Sequence, residues 1–249
     1  MSGHSKWHNI KLRKGKVDAQ RGALFTKLSK EIILAAKGGS PDPEANYRLK
    51  MAVEKARENN MPADNIKRAI ARASGAGEKE IEEIRYEGYG PGSVAVIVDA
   101  ATDNRNRTAS ELRFLFSRHG GTLGETGSVG WIFESRGLLE VENGSLSEDA
   151  LTEAALVDGV VDVRFDAEEG RSEIVTEPVE LAAVRDQLTT QGIKVTSMLL
   201  GFEPKQTVSP HGDEARAVLE FLDALEDHED VQRAFSNAQL DPAELEALA

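Results

Sequence analysis

The apolar residues change their period once, at Gly75-Ala76-Gly77, and that change limits the folds open to the chain. Before it the spacing is helical. Val17, Leu24, Phe25, Leu28 and Ile32 share one side of a helix that begins near Lys16, and Gly38-Gly39 ends it. Asp42-Pro43-Glu44 reads as N-cap, first-position proline and first-turn acid of a second helix, with Leu49, Ala52, Val53 and Ala56 inward and Asn59-Asn60 as its stop. Met61-Pro62-Ala63-Asp64-Asn65 leads into a third, from Ile66 to Ser74, whose inner side is Ile66, Ala69, Ile70 and Ala73. Met1 to Gly15 follows no regular period and reads as a mobile arm.

After Gly77, strand-length apolar runs alternate with helical stretches. The predicted order is a strand over Val94 to Val98, a helix over Thr108 to His119 with Thr108 and Glu111 as capping box, and a strand over Val129 to Phe133. Leu138 to Val141, a helix over Ser147 to Leu156, Val160 to Phe165, Glu173 to Thr176, a helix from Pro178 to Gln191, and Ile193 to Leu199 spell β-α-β-β-α-β. Taken without that insert, Val94 to Phe133 joins Phe202 to Val208, a helix over Asp213 to Leu225, and Val231 to Phe235, and spells it again. The expected fold class is therefore α+β: an N-terminal helical domain followed by two ferredoxin-like βαββαβ domains, one nested in the other. The expected boundaries are 1–77 for the arm and helical domain, 78–135 plus 202–249 for a discontinuous α/β domain, and 136–201 for the insert, with crossings near Arg136 and Gly201.

Charge is divided as sharply as period. The formal net charge is −13, yet residues 1–77 hold sixteen Lys and Arg against seven Asp and Glu, and Met1 to Lys37 alone nine against two. Residues 78–249 hold fourteen against thirty-six, so a +9 end is joined to a −22 body. A polyanion is repelled by the body and drawn to the basic end. Lys6, Lys11, Arg13, Lys14 and Lys16 lie in the arm, and Lys16, Lys27, Lys30 and Lys37 share the helix side opposite the apolar stripe. Arg21 lands on the apolar side, where its stem can lie along the core and its head reach water. Lys67, Arg68 and Arg72 point out from the third helix. An ordinary solvated helix face is the plainer reading of such stripes. Trp7 among these cations either stacks on a base or packs on the protein, and both stay open here.

Other chemistry finds little support. The chain has no cysteine, which removes disulfides, thiolate catalysis and cysteine zinc sites. No apolar run reaches membrane-span length, and the opening residues have no secretory or organelle signature, so the expectation is a cytoplasmic protein with no membrane partner. His4 and His8 are four residues apart, but no glutamate follows His4 and the segment lacks helical period, so no metal site is expected. The acidic run Asp223, Glu226, Asp227, Glu229 and Asp230 lacks calcium-loop geometry and reads as a solvated helix end. Gly120-Gly121-Thr122-Leu123-Gly124-Glu125-Thr126-Gly127 lacks the Gly-Lys-Ser/Thr ending of a P-loop and reads as a long turn. No serine sits in a nucleophile elbow. No catalytic residues, cofactor or small-molecule substrate are expected. Thr102-Asp103-Asn104-Arg105-Asn106-Arg107 precedes a helix, so Arg105 and Arg107 are candidate phosphate contacts, against the plainer alternative of arginines paired to nearby acids.

Gly3-His4-Ser5-Lys6-Trp7, Ile10-Lys11, Arg21-Gly22 and Phe25-Thr26-Lys27-Leu28 through Lys30-Glu31-Ile32 closely resemble the opening of the YebC/PmpR family. Asn60-Met61-Pro62, Asp64-Asn65-Ile66, Arg68-Ala69-Ile70, Tyr86-Glu87-Gly88-Tyr89-Gly90-Pro91-Gly92, Thr102 to Thr108 and Gly124 to Val129 extend the resemblance over essentially the whole chain. Ala23 stands where many relatives carry lysine. The resemblance implies a cytoplasmic three-domain protein and a DNA-binding transcriptional regulator. For other relatives it implies a ribosome-associated translation factor, including mitochondrial activators and factors that ease synthesis of proline-rich stretches. A motif at the very start fits the bacterial type.

The residues and the resemblance together predict a non-enzymatic nucleic-acid-binding regulator of gene expression. Its contacts would be Lys6, Trp7, Lys11, Arg13, Lys14, Lys16, Lys27, Lys30, Arg68 and Arg72, with DNA or ribosomal RNA as partner. A metal-dependent nuclease using His4 and His8 is the weaker alternative.

Overall fold

The computed structural model describes residues 19–73 and 80–241. The expected arm, Lys16, Trp7, the His4/His8 pair and the Gly75 linker lie outside the described residues.

Three helices come first. Helix α1 is Ala19–Lys37, α2 is Tyr47–Glu58 and α3 is Ala63–Ala73. Leu28, Ile32, Leu49, Ala52, Val53, Ala56, Ile66 and Ala69 form their shared core, as the 3.6-residue period requires. Helix α2 starts later than its proline suggested. Asp42, Pro43 and Glu44 lie in a turn, and Asn46 is the true N-cap, accepting from the Leu49 N–H at 3.1 Å. The Asn46 amide also donates to the carbonyls of Ala35 and Ser40, so one side chain ties the end of α1 to the start of α2. Asn60, at φ 60°, takes the left-handed conformation that ends α2.

The same compact unit contains the first sheet. Strands β1 (Glu82–Tyr89) and β2 (Ala95–Thr102) form an antiparallel hairpin, followed by α4 (Arg105–Arg118) and the two-residue β3 (Thr122–Leu123). Helix α7 (Asp213–Asp227) and strand β8 (Val231–Ser236) complete it, in the strand order β3-β1-β2-β8. Helices α4 and α7 pack on one face through Leu112, Phe116, Val218, Phe221 and Leu222, and the Phe116 and Phe221 rings meet edge-on at 4.8 Å. Ile81 and Ala101 belong to the core of the three helices.

This sheet departs from the expected βαββαβ order. Strand β1 was hidden in Glu82-Glu83-Ile84-Arg85-Tyr86-Glu87, whose charges pair across the sheet, as in the 2.7 Å Arg85–Asp99 bond, and mask the alternation. Gly130–Ile132 is a 3-10 turn, so Val129 to Phe133 is not a separate strand. The predicted strand over Phe202 to Val208 is in fact the tail of a strand of the insert, ending at Pro204. Helix α4 also begins three residues before Thr108, with Asn104 as N-cap accepting from the Arg107 N–H at 3.2 Å.

The second compact unit runs from Phe133 to Lys205. Its elements are β4 (Phe133–Glu142), α5 (Glu148–Ala154), β5 (Val160–Arg164), β6 (Arg171–Thr176), α6 (Leu181–Thr190) and β7 (Val195–Pro204). The strand order β5-β6-β4-β7 with every neighbour antiparallel is the ferredoxin-like arrangement expected for the insert. Arg136 and Gly201, the expected crossing points, face each other across β4 and β7. Leu139, Val141, Leu151, Ile174, Val184 and Leu188 fill the core between sheet and helices. Within this unit Arg164 pairs with Asp162, Glu173 and Glu203, and Arg136 with Glu134, Glu177 and Glu203. The acids around Arg164 outweigh the cost of its burial and raise its already high pKa.

Candidate nucleic-acid interface

Three of the helical region's predicted cations are not on an open face. Helix α1 turns Lys27 and Lys30 toward the end of α7 and the turn before β8. Lys27 donates to the Glu226 carbonyl, one of the carbonyls left without a helical partner at the C-terminal end of α7. Burial is the main cause that pushes the Lys27 ammonium down to about 8, against the opposing pull of Glu226 and Asp227. Lys30 donates to the Glu229 carbonyl at 3.0 Å and to the Asp230 carboxylate, and its side chain is only 11% exposed. Lys37 pairs with Glu80 at the surface. The stripe read as free to meet phosphate is largely consumed inside the protein, because the acidic run at Glu226 to Asp230 folds against it.

Asp230 is the centre of that contact. Its side chain is fully buried and receives Lys30, both oxygens of the carboxylate lie 3.0 and 3.2 Å from Arg107 Nη2, and Thr108 Oγ1 donates at 2.6 Å. Burial alone would raise its pKa, but the bonds from Lys30, Thr108 and Arg107 outweigh it and hold the carboxyl down at about 2. Arg107 is raised in turn, first by its hydrogen bond to Asp230, and lies 3.2 Å from Asp103 as well. The paired-arginine alternative therefore describes Arg107. Arg105 differs: its side chain is 68% exposed and only 4.0 Å from Glu82.

The solvated helix end expected for Asp223 to Asp230 does not describe Asp230 either. Glu111, His228 and Asp230 converge closely enough to suggest a metal, with ligand atoms within 4.8 Å of one another. Their bonding argues otherwise. The Asp230 N–H donates to His228 Nδ1 at 3.1 Å, so in the neutral ring Nε2 carries the proton and donates to Glu111 at 3.0 Å. Asp230 is meanwhile occupied by two protein cations. These three groups are spent on one another.

What remains open on the helical region lies on α3 and the end of α2. Lys67 and Arg57 are exposed with no acidic partner among the described residues. Arg68 is exposed too, bonded to the Asn65 side chain and to the Asp64 carbonyl at 3.3 Å but to no carboxylate. Arg72 is exposed at the last turn of α3. Arg57 was missed in the sequence, where it looked like the end of a helix with nothing to distinguish it. Asp230 was missed because its role depends on residues 122, 123 and 200 positions away.

The glycine-rich stretch is a built loop, not an anion cradle. Glu87, 5% exposed, accepts from the N–H groups of Gly127, Val129 and Gly130 at 2.9, 2.8 and 2.7 Å. Burial opposes its ionisation, and those three bonds overcome it, leaving the carboxyl below its usual value. The amides that might have held a phosphate hold a carboxylate of the same chain. Gly121 is required there, since a Cβ would come within 2.4 Å of the Tyr89 carbonyl oxygen.

Comparison with known proteins places this geometry. The description "TACO1/YebC protein N-terminal domain" matches residues 5–76, and "TACO1/YebC second and third domain" matches residues 81–238. The chain belongs to the TACO1/YebC family. A relative from Rubrobacter xylanophilus named "probable transcriptional regulatory protein" is 51% identical, over 95% of each chain. One of the same name from Pelotomaculum thermopropionicum is 49% identical, over 97% of this chain and 100% of its own. A crystal structure of a conserved hypothetical protein from Aquifex aeolicus superposes with a TM-score of 0.82 at 43% identity, covering 91% of this chain and 93% of that one. A helical region followed by two antiparallel sheets is thus the family fold. Among the described residues no helix is long and apolar enough to cross a membrane.

Proposed function

We propose that this TACO1/YebC protein is a non-enzymatic regulator of gene expression that binds nucleic acid through its basic end, with DNA as the target that its relatives' names favour. The observation that carries the reading is the exposed group Arg57, Lys67, Arg68 and Arg72 on a region of formal charge +9, joined to a body of −22. The body repels a polyanion and leaves that end as the favourable approach. Lys6, Lys11, Arg13, Lys14 and Lys16 add phosphate contacts in this reading, and Trp7 a stacking surface. Lys27 and Lys30 leave the set, since their charges are already matched.

One observation favours RNA as a second reading. The outward side of α3 offers Lys67, Arg68 and Arg72, while its Asn65 amide group is engaged by Arg68. Such a helix contacts phosphates and has few groups for base edges, which suits ribosomal RNA and a role in translation as well as it suits duplex DNA. Crosslinking in living cells, followed by sequencing of the attached nucleic acid, tests both. Discrete promoter DNA is expected for the first reading and a few ribosomal RNA positions for the second. Recovery of neither above a protein lacking the basic end would sink the proposal.

A further inference from the structure

The outward face of α4 has a composition unlike the acidic half in which it sits. Four of the fourteen Lys and Arg of residues 78–249 fall within this one helix, at Arg105, Arg107, Arg113 and Arg118. Arg107 turns inward to Asp230. At about 100° per residue, Asn106, Ser110, Arg113, Phe114, Ser117 and Arg118 share the side opposite the buried Thr108, Leu112 and Phe116. All are exposed, and Phe114 is 63% exposed. Neither Arg113 nor Arg118 has an acidic partner among the described residues. The nearest acid on the helix, Glu111, lies at the margin of this face and is bonded to His228.

A single exposed phenylalanine is ordinary. Here it stands next to one unpaired guanidinium and a turn from another, with two hydroxyls and an amide on the same side and no carboxylate between them. Guanidinium groups match phosphate oxygens, an exposed ring offers a face for a base, and hydroxyl and amide groups can reach sugar or base edges. Arg113 and Arg118 are five residues apart, a rise of about 7.5 Å along the helix, which places two cations on either side of one aromatic ring.

We propose that this face of α4 is a second nucleic-acid contact, one that takes a single strand with accessible bases: its phosphates meet Arg113 and Arg118 and one base stacks on Phe114. The inference rests on the nucleic-acid reading above and deepens it, since it moves part of the interface onto the α/β unit and makes it selective for unpaired strands. A duplex keeps its base faces stacked inside and cannot use Phe114.

The test is fluorescence anisotropy of the full-length protein with labelled 20-nucleotide oligouridylate, its DNA counterpart and a blunt duplex of the same length, across a salt series. Phe114→Ala is expected to weaken single-strand binding about tenfold with little change in salt slope and little effect on the duplex, and Phe114→Tyr to restore it. Arg113→Ala with Arg118→Ala is expected to reduce the log–log salt slope by about 1.4, two phosphates at about 0.7 each. If the wild-type protein binds none of the three probes, the nucleic-acid reading falls and this inference with it. If Arg57→Ala with Lys67→Ala weakens binding but the α4 variants do not, the basic-end reading stands and the α4 contact is overturned. A change in self-association on Phe114→Ala without any change in binding would likewise overturn it, in favour of a second copy of the chain.

Discussion

Lys30 and Asp230, two hundred positions apart in sequence, form an ion pair in which one side chain is 11% exposed and the other fully buried. Around it Arg107 and Thr108 close on the same carboxylate, so α1, the start of α4 and the turn before β8 meet at one atom group. A buried carboxylate is favourable only while its donors are in place.

Removing that carboxylate is therefore expected to be costly. Asp230→Ala leaves Lys30 and Arg107 without their anion, and the loss should be about 3–5 kcal/mol in urea unfolding. Asp230→Asn keeps the shape and part of the hydrogen bonding and should lose less. A change below about 1 kcal/mol for Asp230→Ala would show that the cations find other partners. The pH dependence follows from a folded pKa of about 2 against 3.8 unfolded. The Asp230 contribution is fully present above about pH 4 and fades as pH falls toward 2, and Asp230→Asn should remove that part of the acid limb.

Lys27 should show the opposite sense. Its pKa is lowered from 10.5 to about 8, so between those values the unfolded chain binds more protons than the folded one. Stability is expected to rise with pH over that window, which titration of the unfolding midpoint from pH 7 to 10.5 would detect. Lys27→Met removes a desolvated charge while keeping the stem, and should flatten the rise and leave stability at pH 7 equal or higher. A marked loss instead would mean that the bond to the Glu226 carbonyl outweighs the desolvation.

The two groups of cations separate by readout. Arg57→Ala with Lys67→Ala should weaken nucleic-acid binding and lower its salt slope, with less than about 0.5 kcal/mol change in stability. Lys30→Ala should lower the unfolding midpoint and leave the slope unchanged, because its charge is committed to Asp230. An unaltered slope in the first pair would remove α2 and α3 from the interface.

The difference between these groups marks the limit of what the sequence discloses. Helical spacing alone located α1 to α3 and their core, and strand length and period located the insert down to its strand order. Those are local signals, repeated over many residues. Lys27 and Lys30 carry no local sign that they face inward, because a lysine opposite an apolar stripe looks the same whether water or an acidic helix end covers it. Strand β1 was lost for a related reason: Glu83, Arg85 and Glu87 are polar in the sequence, yet Arg85 is satisfied by Asp99 and Glu87 by three amides of a later loop. Partners supplied from far along the chain reverse the meaning of a charge.

Glu87 makes that last point testable. Its carboxylate is the only acceptor named for the Gly127, Val129 and Gly130 N–H groups, and those bonds hold the loop that follows β3. Glu87→Gln preserves size but removes the charge and one acceptor, so the three amides should exchange with solvent faster while those in the centre of β2 do not. The carboxyl pKa lies below its usual value, so the contribution is present above the ordinary carboxylate range and is lost on acidification below it. Amide exchange followed by NMR at neutral pH and again near pH 3 would separate the two cases. If the loop is held mainly by the buried side chains of Val129 and Ile132, all three amides will stay protected in the variant and at low pH. If the carboxylate holds it, they will open together in both, and the glycine-rich stretch will prove to be fixed by one acid from β1.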